Sequence, residues 1–295
     1  MEKIRKALDL ARAERARLAP SVGLESSPPA SAAAPSELPP VARPVGPPPA
    51  LESRRAQPLG LGDAPNAAAH RFRPDPGVLE RHRVLAQNST SPAAEAFRLL
   101  RTQVLQRMDE HGWRSLAVVS PNVDDARTVT AANLAIAIAA DSRRHALVVD
   151  LDLRAPRVAP LFGLAPERGL EDVLGGACKA DDCFHRPDGF ERFSLLPARA
   201  PVPRGSELIA GARARALVAE LAARFADRRI VYDVAPILAS DEALAFLPAV
   251  DCALLVVTEA HTKRADLLRS MQLLARVPIV GSVLGNAAGV GVSRD

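Results

Sequence analysis

Hydrophobic positions divide this chain into two unlike parts. Beyond residue 84, apolar runs at 116–120, 147–151, 230–234, 253–258 and 279–284 are short, branched and barely interrupted by polar residues. That is the pattern of strands covered on both faces. Between them, apolar residues recur at helical spacing over 93–109, 128–140, 213–225, 241–247 and 262–274. The alternation predicts an α/β fold: a doubly wound, mostly parallel sheet flanked by helices, with ligand sites at the carboxyl ends of the strands.

Before residue 84 the pattern is different. Ile4, Ala7, Leu8, Ala11 and Leu18 fall near a 3.6-residue period, with Lys3, Arg5, Lys6, Arg12, Arg15 and Arg17 mostly elsewhere. Residues 1–19 are therefore expected as a basic amphipathic helix, which could dock on an acidic partner or anionic lipid, or be solvated at a chain end. Residues 20–83, rich in Pro, Ala and Ser, lack the apolar clusters that would repay ordering entropy. They are expected as a disordered tether, leaving 84–295 as one folded domain.

Composition narrows the function classes. Hydrophobic residues make up 48% of the chain, enough for a sizeable core. Lys and Arg outnumber Asp and Glu by 13 to 9 over residues 1–90 but balance at 25 each from 91 onward. A neutral folded part with few aromatic rings argues against a nucleic-acid surface. Three cysteines are too few for a disulfide framework, so reduced thiols are expected. No signal-peptide-like run and no stretch of about 20 apolar residues appears, which points to a cytoplasmic location. Cys178 and Cys183, with His185 beyond, lack a second ligand pair for zinc and are expected as free thiols.

The chemistry-bearing residues stand where strands end. The 116–120 run leads through Pro121, Asn122, Val123, Asp124, Asp125, Ala126 and Arg127 to Thr128, a loop that opens a helix. Free amides and a helix dipole at such a place attract phosphate. Asp150 and Asp152 end the second strand on one face, where carboxylates can hold Mg²⁺ through water. Asp233 ends a further strand and makes a third carboxylate for the same loop.

Taken together, residues 84–295 resemble the bacterial tyrosine kinases of capsule and exopolysaccharide synthesis, relatives of the partitioning and septum-positioning ATPases. Asp150-x-Asp152-x-Arg154 is similar to that family's second Walker motif, and Asp233-x-x-Pro236 to its Walker B segment. Glu95-x-x-Arg98-x-x-Arg101 resembles the helix that packs its subunits into a ring. The opening Met1-Glu-Lys-Ile-Arg-Lys-Ala-Leu8 and the tether resemble members that pair with a separate membrane chain-length protein. The resemblance implies a P-loop NTPase-like fold, Mg-ATP as cofactor, and catalytic positions at Asp150, Asp152 and Asp233. It implies metal ligation by Thr128, Asp150 and Asp233, and an oligomer interface at Glu95, Arg98 and Arg101.

The phosphate loop departs from the family's pattern. Where the family reads Gly-Glu-Gly-Lys-Ser/Thr, this chain has Asp124, Asp125, Ala126, Arg127 and Thr128. Side chains at Asp124 and Ala126 fill space that glycine leaves to phosphate, and Asp124 adds a repelling charge. Arginine cannot place a compact ammonium between phosphates as lysine does, and no lysine occurs between Lys6 and Lys179. The only tyrosine is Tyr232, inside an expected strand, so the family's C-terminal acceptor cluster has no counterpart.

The expectation is a catalytically impaired, kinase-like regulator or scaffold of exopolysaccharide synthesis and export, held at the inner membrane by its partner. Its partners would be a membrane polysaccharide co-polymerase, the chain-length determinant, and copies of itself or of an active kinase paralogue, with no nucleic acid. The competing expectation is a weak Mg-ATP-dependent tyrosine kinase or ATPase acting in trans, which keeps Mg-ATP through Arg127, Thr128, Asp150, Asp152 and Asp233 despite the degenerate loop of Asp124, Ala126, Arg127 and Thr128. A partitioning-type ATPase regulator bound to DNA or membrane is a third, disfavoured by the ring-helix motif.

Overall fold

The computed structural model describes residues 69–123, 126–141, 144–224, 228–259 and 261–285. The expected helix at 1–19, the tether up to residue 68, Asp124, Asp125 and the last ten residues lie outside the described residues.

Eight strands form one sheet: β1 (His70–Phe72), β2 (Ser115–Val119), β3 (His145–Leu151), β4 (His185–Pro187), β5 (Phe193–Leu196), β6 (Arg228–Val234), β7 (Cys252–Thr258) and β8 (Ile279–Gly285). Their order is β1-β4-β5-β3-β6-β2-β7-β8. Every neighbouring pair is parallel except β4 with β5. The five long strands coincide closely with the five apolar runs. Strands β1, β4 and β5, of three or four residues each, were not expected, because so short a stretch carries no measurable period.

Alternation along each strand feeds two cores. Ala117 and Val119, Leu147 and Val149, and Ile230 and Tyr232 face one side, whereas Leu116 and Val118, Ala146 and Val148, and Val231 face the other. The second side is covered by α2 (Pro92–Glu110) and α3 (Ala126–Ala139). Ser91 starts α2, its side chain accepting from the Ala94 amide, with Pro92 in the first turn where no amide is needed. Helix α3 is apolar nearly all round and almost wholly buried, as a helix between a sheet and another helix must be.

The fold extends further towards the N-terminus than the boundary at 84. Strand β1 and helix α1 (Pro76–Arg81) fall inside the stretch expected as tether. Asp75 caps α1, and Asn133 of α3 clamps the segment that follows: its Oδ1 accepts from the Leu85 amide at 2.8 Å and its Nδ2 donates to the Arg83 carbonyl at 2.8 Å. The short helices α4 (Val158–Leu161), α5 (Leu170–Gly175), α6 (Gly205–Ala210), α7 (Ala212–Arg224), α8 (Asp241–Phe246) and α9 (Arg264–Leu273) complete the layers. Among the described residues no helix is long and apolar enough to cross a membrane.

Candidate functional site

Strand order decides where the site lies. The chain leaves β2 towards β3 on one side and enters β7 on the other, so a crevice opens beyond the carboxyl end of β2. Register then sets the carboxylates beside each other. Asp150 of β3 pairs directly with Asp233 of β6, and Val118 of β2 pairs with the other side of Asp233. Asp152 follows two residues on, so all three aspartates share the face covered by α3.

The N-terminal turn of α3 brings Arg127 and Thr128 to them. Arg127 is only 2% exposed. Its Nε donates to Asp233 Oδ1 at 2.8 Å and its Nη2 to Asp152 Oδ2 at 2.7 Å. Thr128 Oγ1 donates to Asp233 Oδ2 at 2.7 Å. The arginine, expected at the phosphate loop, is thus turned inward to bridge two strand-terminal carboxylates. Burial works against its charge, but Asp233 and Asp152 outweigh that and hold the guanidinium above its ordinary pKa.

The remaining carboxylate oxygens are also engaged. Asp152 Oδ1 accepts from the Ala155 amide at 3.2 Å. Asp150 accepts from the amides of Asp152, Arg157 and Val158 at 3.3, 3.1 and 2.9 Å. Burial, reinforced by Asp233, pushes the Asp150 carboxyl well above the usual carboxylate range against the pull of the Val158 amide. Asp233 is raised by burial too, with Arg127 and Thr128 opposing.

This arrangement does not fit Mg²⁺. The ion needs near-octahedral oxygens at about 2.1 Å, and here a guanidinium lies between Asp152 and Asp233 while Thr128 spends its hydroxyl on Asp233. No group of three or more His, Cys, Asp or Glu side chains among the described residues could hold a metal ion. What the site can do in this form is bind itself: one internal cation bridges two of the three carboxylates, and backbone amides hold the third.

Ala126 stands at the first turn of α3 with its Cβ against the chain at Gly285, where an added Cβ would lie 2.7 Å from it. Asp124, the loop's other departure, lies outside the described residues. Tyr232 is buried, with its ring edge-on to Phe246 at a centroid distance of 4.9 Å. On α2, Glu95 is exposed, Arg98 Nη1 donates to the Ser89 carbonyl at 2.8 Å, and Arg101 Nη1 donates to the Ala137 carbonyl at 3.3 Å. Both arginines therefore brace their own domain.

One site residue escaped the sequence reading. Glu242, in the first turn of α8, is fully buried, with the Leu153 backbone as the partner of its carboxylate. Burial and then Asp152 push its pKa up to about 7. An acid just after a Ser N-cap is an ordinary helix start, so only the packing of Gly205 against its carboxylate reveals it.

A parallel sheet with strand-terminal aspartates converging on a loop-to-helix turn defines a domain of the P-loop NTPase type. No protein-family model matches the chain. It is 32% identical over 158 residues to the tyrosine-protein kinase wzc of Salmonella typhimurium, covering 53% of this chain and 21% of that one. It is 29% identical over 198 residues to the succinoglycan biosynthesis transport protein ExoP of Rhizobium meliloti, covering 65% and 25%. The kinase domain of the Escherichia coli tyrosine kinase ETK superposes with a TM-score of 0.64 at 28% identity, over 77% of this chain and 87% of that one. The chain spans about a quarter or less of the two curated relatives' length. Its sequence relatives are bacterial tyrosine kinases and transport proteins of polysaccharide synthesis, and its fold is that of a bacterial tyrosine-kinase domain.

Proposed function

We propose that this chain is a catalytically impaired, kinase-like regulator of exopolysaccharide synthesis and export, acting as a scaffold with a membrane chain-length determinant. The observation that carries this reading is the Arg127 guanidinium between Asp152 and Asp233 at 2.7 and 2.8 Å. A catalytic P-loop keeps its cation for phosphate and its carboxylates for metal; here the two satisfy each other. The likeness to a succinoglycan transport protein supports the pathway. Assembly would run through α2, with exposed Glu95 and Leu99, the latter 61% exposed, towards a second copy or an active paralogue, while Arg98 and Arg101 hold the helix to its own domain.

A second reading has its own support: Thr128, Asp150, Asp152 and Asp233 are all present and all converge. If a partner drew Arg127 out, they could serve a kinase or ATPase acting in trans, with Mg-ATP. Titration with labelled ATP and Mg²⁺ separates the two. The regulator reading expects no saturable binding by the natural chain and binding by Asp124→Gly/Ala126→Gly/Arg127→Lys. Micromolar binding by the natural chain would overturn it.

A further inference from the structure

Two thiols that the proposed function does not use meet at one edge of the sheet. The Sγ atoms of Cys178 and Cys183 are 3.4 Å apart. Cys178 is half-buried and follows the exposed Gly175, Gly176 and Ala177, whereas Cys183 is buried at the end of the turn Ala180–Cys183. Closing to a disulfide requires the sulfurs to approach to about 2.05 Å. The exposed stretch before Cys178 can supply that movement without opening the core. Cys183 also donates its S–H to the Gly169 carbonyl at 3.6 Å, at the start of α5, where Glu171 accepts from the Arg199 and Ala200 amides.

We propose that Cys178 and Cys183 are a reversible dithiol–disulfide modification site for peroxide-class oxidants. The Cys178 thiolate attacks hydrogen peroxide, breaking the O–O bond to give a sulfenic acid and one water once the hydroxide is protonated. Cys183 sulfur then attacks Cys178 sulfur, its proton leaves with the hydroxyl as a second water, and the S–S bond forms. Two thiols are oxidised and one peroxide is reduced; a dithiol reductant reverses the change by exchange. Burial raises the pKa of both thiols, so thiolate is scarce at neutral pH and the reaction accelerates as pH rises. Cys252, buried in β7 with its S–H on the Ser115 carbonyl, is an internal control.

The test uses the full chain treated with hydrogen peroxide over a pH series, alkylated, denatured and digested with trypsin. Lys179 lies between the two cysteines, so cleavage there leaves peptides 169–179 and 180–192 joined only by the disulfide. The expected result is a linked pair that grows with pH, disappears with dithiothreitol and leaves Cys252 alkylated. In Cys183→Ser the Cys178 sulfenic acid is trapped by dimedone, and in Cys178→Ser the remaining Cys183 stays unoxidised. Cys178 advancing to sulfinic acid with Cys183 still alkylated, or a disulfide joining two chains, would overturn the proposal.

Discussion

Replacing Arg127 by methionine probes the site most directly. The change keeps much of the apolar stem and removes a guanidinium that is 2% exposed and paired at 2.7 and 2.8 Å with Asp152 and Asp233. Two unit charges about 4 Å apart attract by about 4 kcal/mol at an effective dielectric near 20, so two pairs contribute about 8 kcal/mol gross. Desolvating the guanidinium offsets part of this. Removing one partner of a buried pair typically costs about 3–5 kcal/mol, because the other charges stay buried and unpaired. For a domain of this size that is roughly a 6–20 °C fall in melting temperature.

The sign of the pH dependence distinguishes this loss from simple mispacking. Without the cation, Asp233, already raised by burial, loses the charge that opposes that rise, so it moves further above its unfolded value. Its charged form then destabilises the folded state once pH exceeds the unfolded pKa, near 3.9. The penalty in Arg127→Met is therefore largest at pH 8 and shrinks towards pH 5. Mg²⁺ adds a second signature: at about a hundredfold excess over its dissociation constant a bound ion restores about 2.7 kcal/mol, in the variant and not in the natural chain. Urea denaturation followed by circular dichroism measures all three. A loss below about 1 kcal/mol that does not change between pH 5 and 8 would refute a guanidinium locked between carboxylates.

Glu242 gives an independent pH signature. A carboxyl raised from 4.5 to about 7 stabilises the fold fully below pH 4.5 and loses that contribution as pH rises through 7, by at most about 3 kcal/mol. Denaturation curves of Glu242→Gln against the natural chain should diverge across that window in the variant's favour; parallel curves would remove Glu242 from the account. Gly285→Ala would bring a Cβ to 2.7 Å from the Ala126 Cβ, an overpacking expected to cost about 1–3 kcal/mol. The double change Gly285→Ala/Ala126→Gly should recover most of it in a thermal melt, and additive losses would count against the contact. Asp251→Ala should destabilise by about 1–3 kcal/mol, since Asp251 Oδ2 accepts from the Arg114 and Ser115 amides and the Ser115 hydroxyl.

Long strands were legible because each is a branched apolar run buried on both faces, and periodicity then placed α2, α3, α7, α8 and α9 between them. Edge structure was not: β1 and β4 have too few residues to carry a pattern, and His70 gains its place only by pairing with His185, far away in the chain. Among site residues, the aspartates announced themselves by ending strands. The direction of Arg127 could not be read, because a basic residue at the start of a helix suits an outward turn to phosphate as well as an inward turn to carboxylate. Only the register that sets Asp150 against Asp233, with Asp152 two residues on, decides between them. Glu242 was hidden for a related reason: its burial depends on Gly205 and Leu153, residues that sequence spacing does not connect to it.

Arginine at position 127 also gives the acidic strand ends a structural role of their own, whatever their part in catalysis. Carboxylates held in the interior need a cation, and in a working P-loop protein Mg²⁺ and the loop lysine share that work. An arginine fork reaches two carboxylates at once and stays charged when buried. In this chain Asp152 and Asp233 are thereby tied to α3, and through it to β2, β3 and β6. Under the proposed function, this internal pairing would let the centre of the domain stand complete without nucleotide, the constancy that a scaffold needs. The aspartates and Arg127 therefore act as one unit: Arg127→Met alone should be costly, whereas adding Asp152→Asn and Asp233→Asn should recover much of the loss, because the charges left behind are removed with their partner.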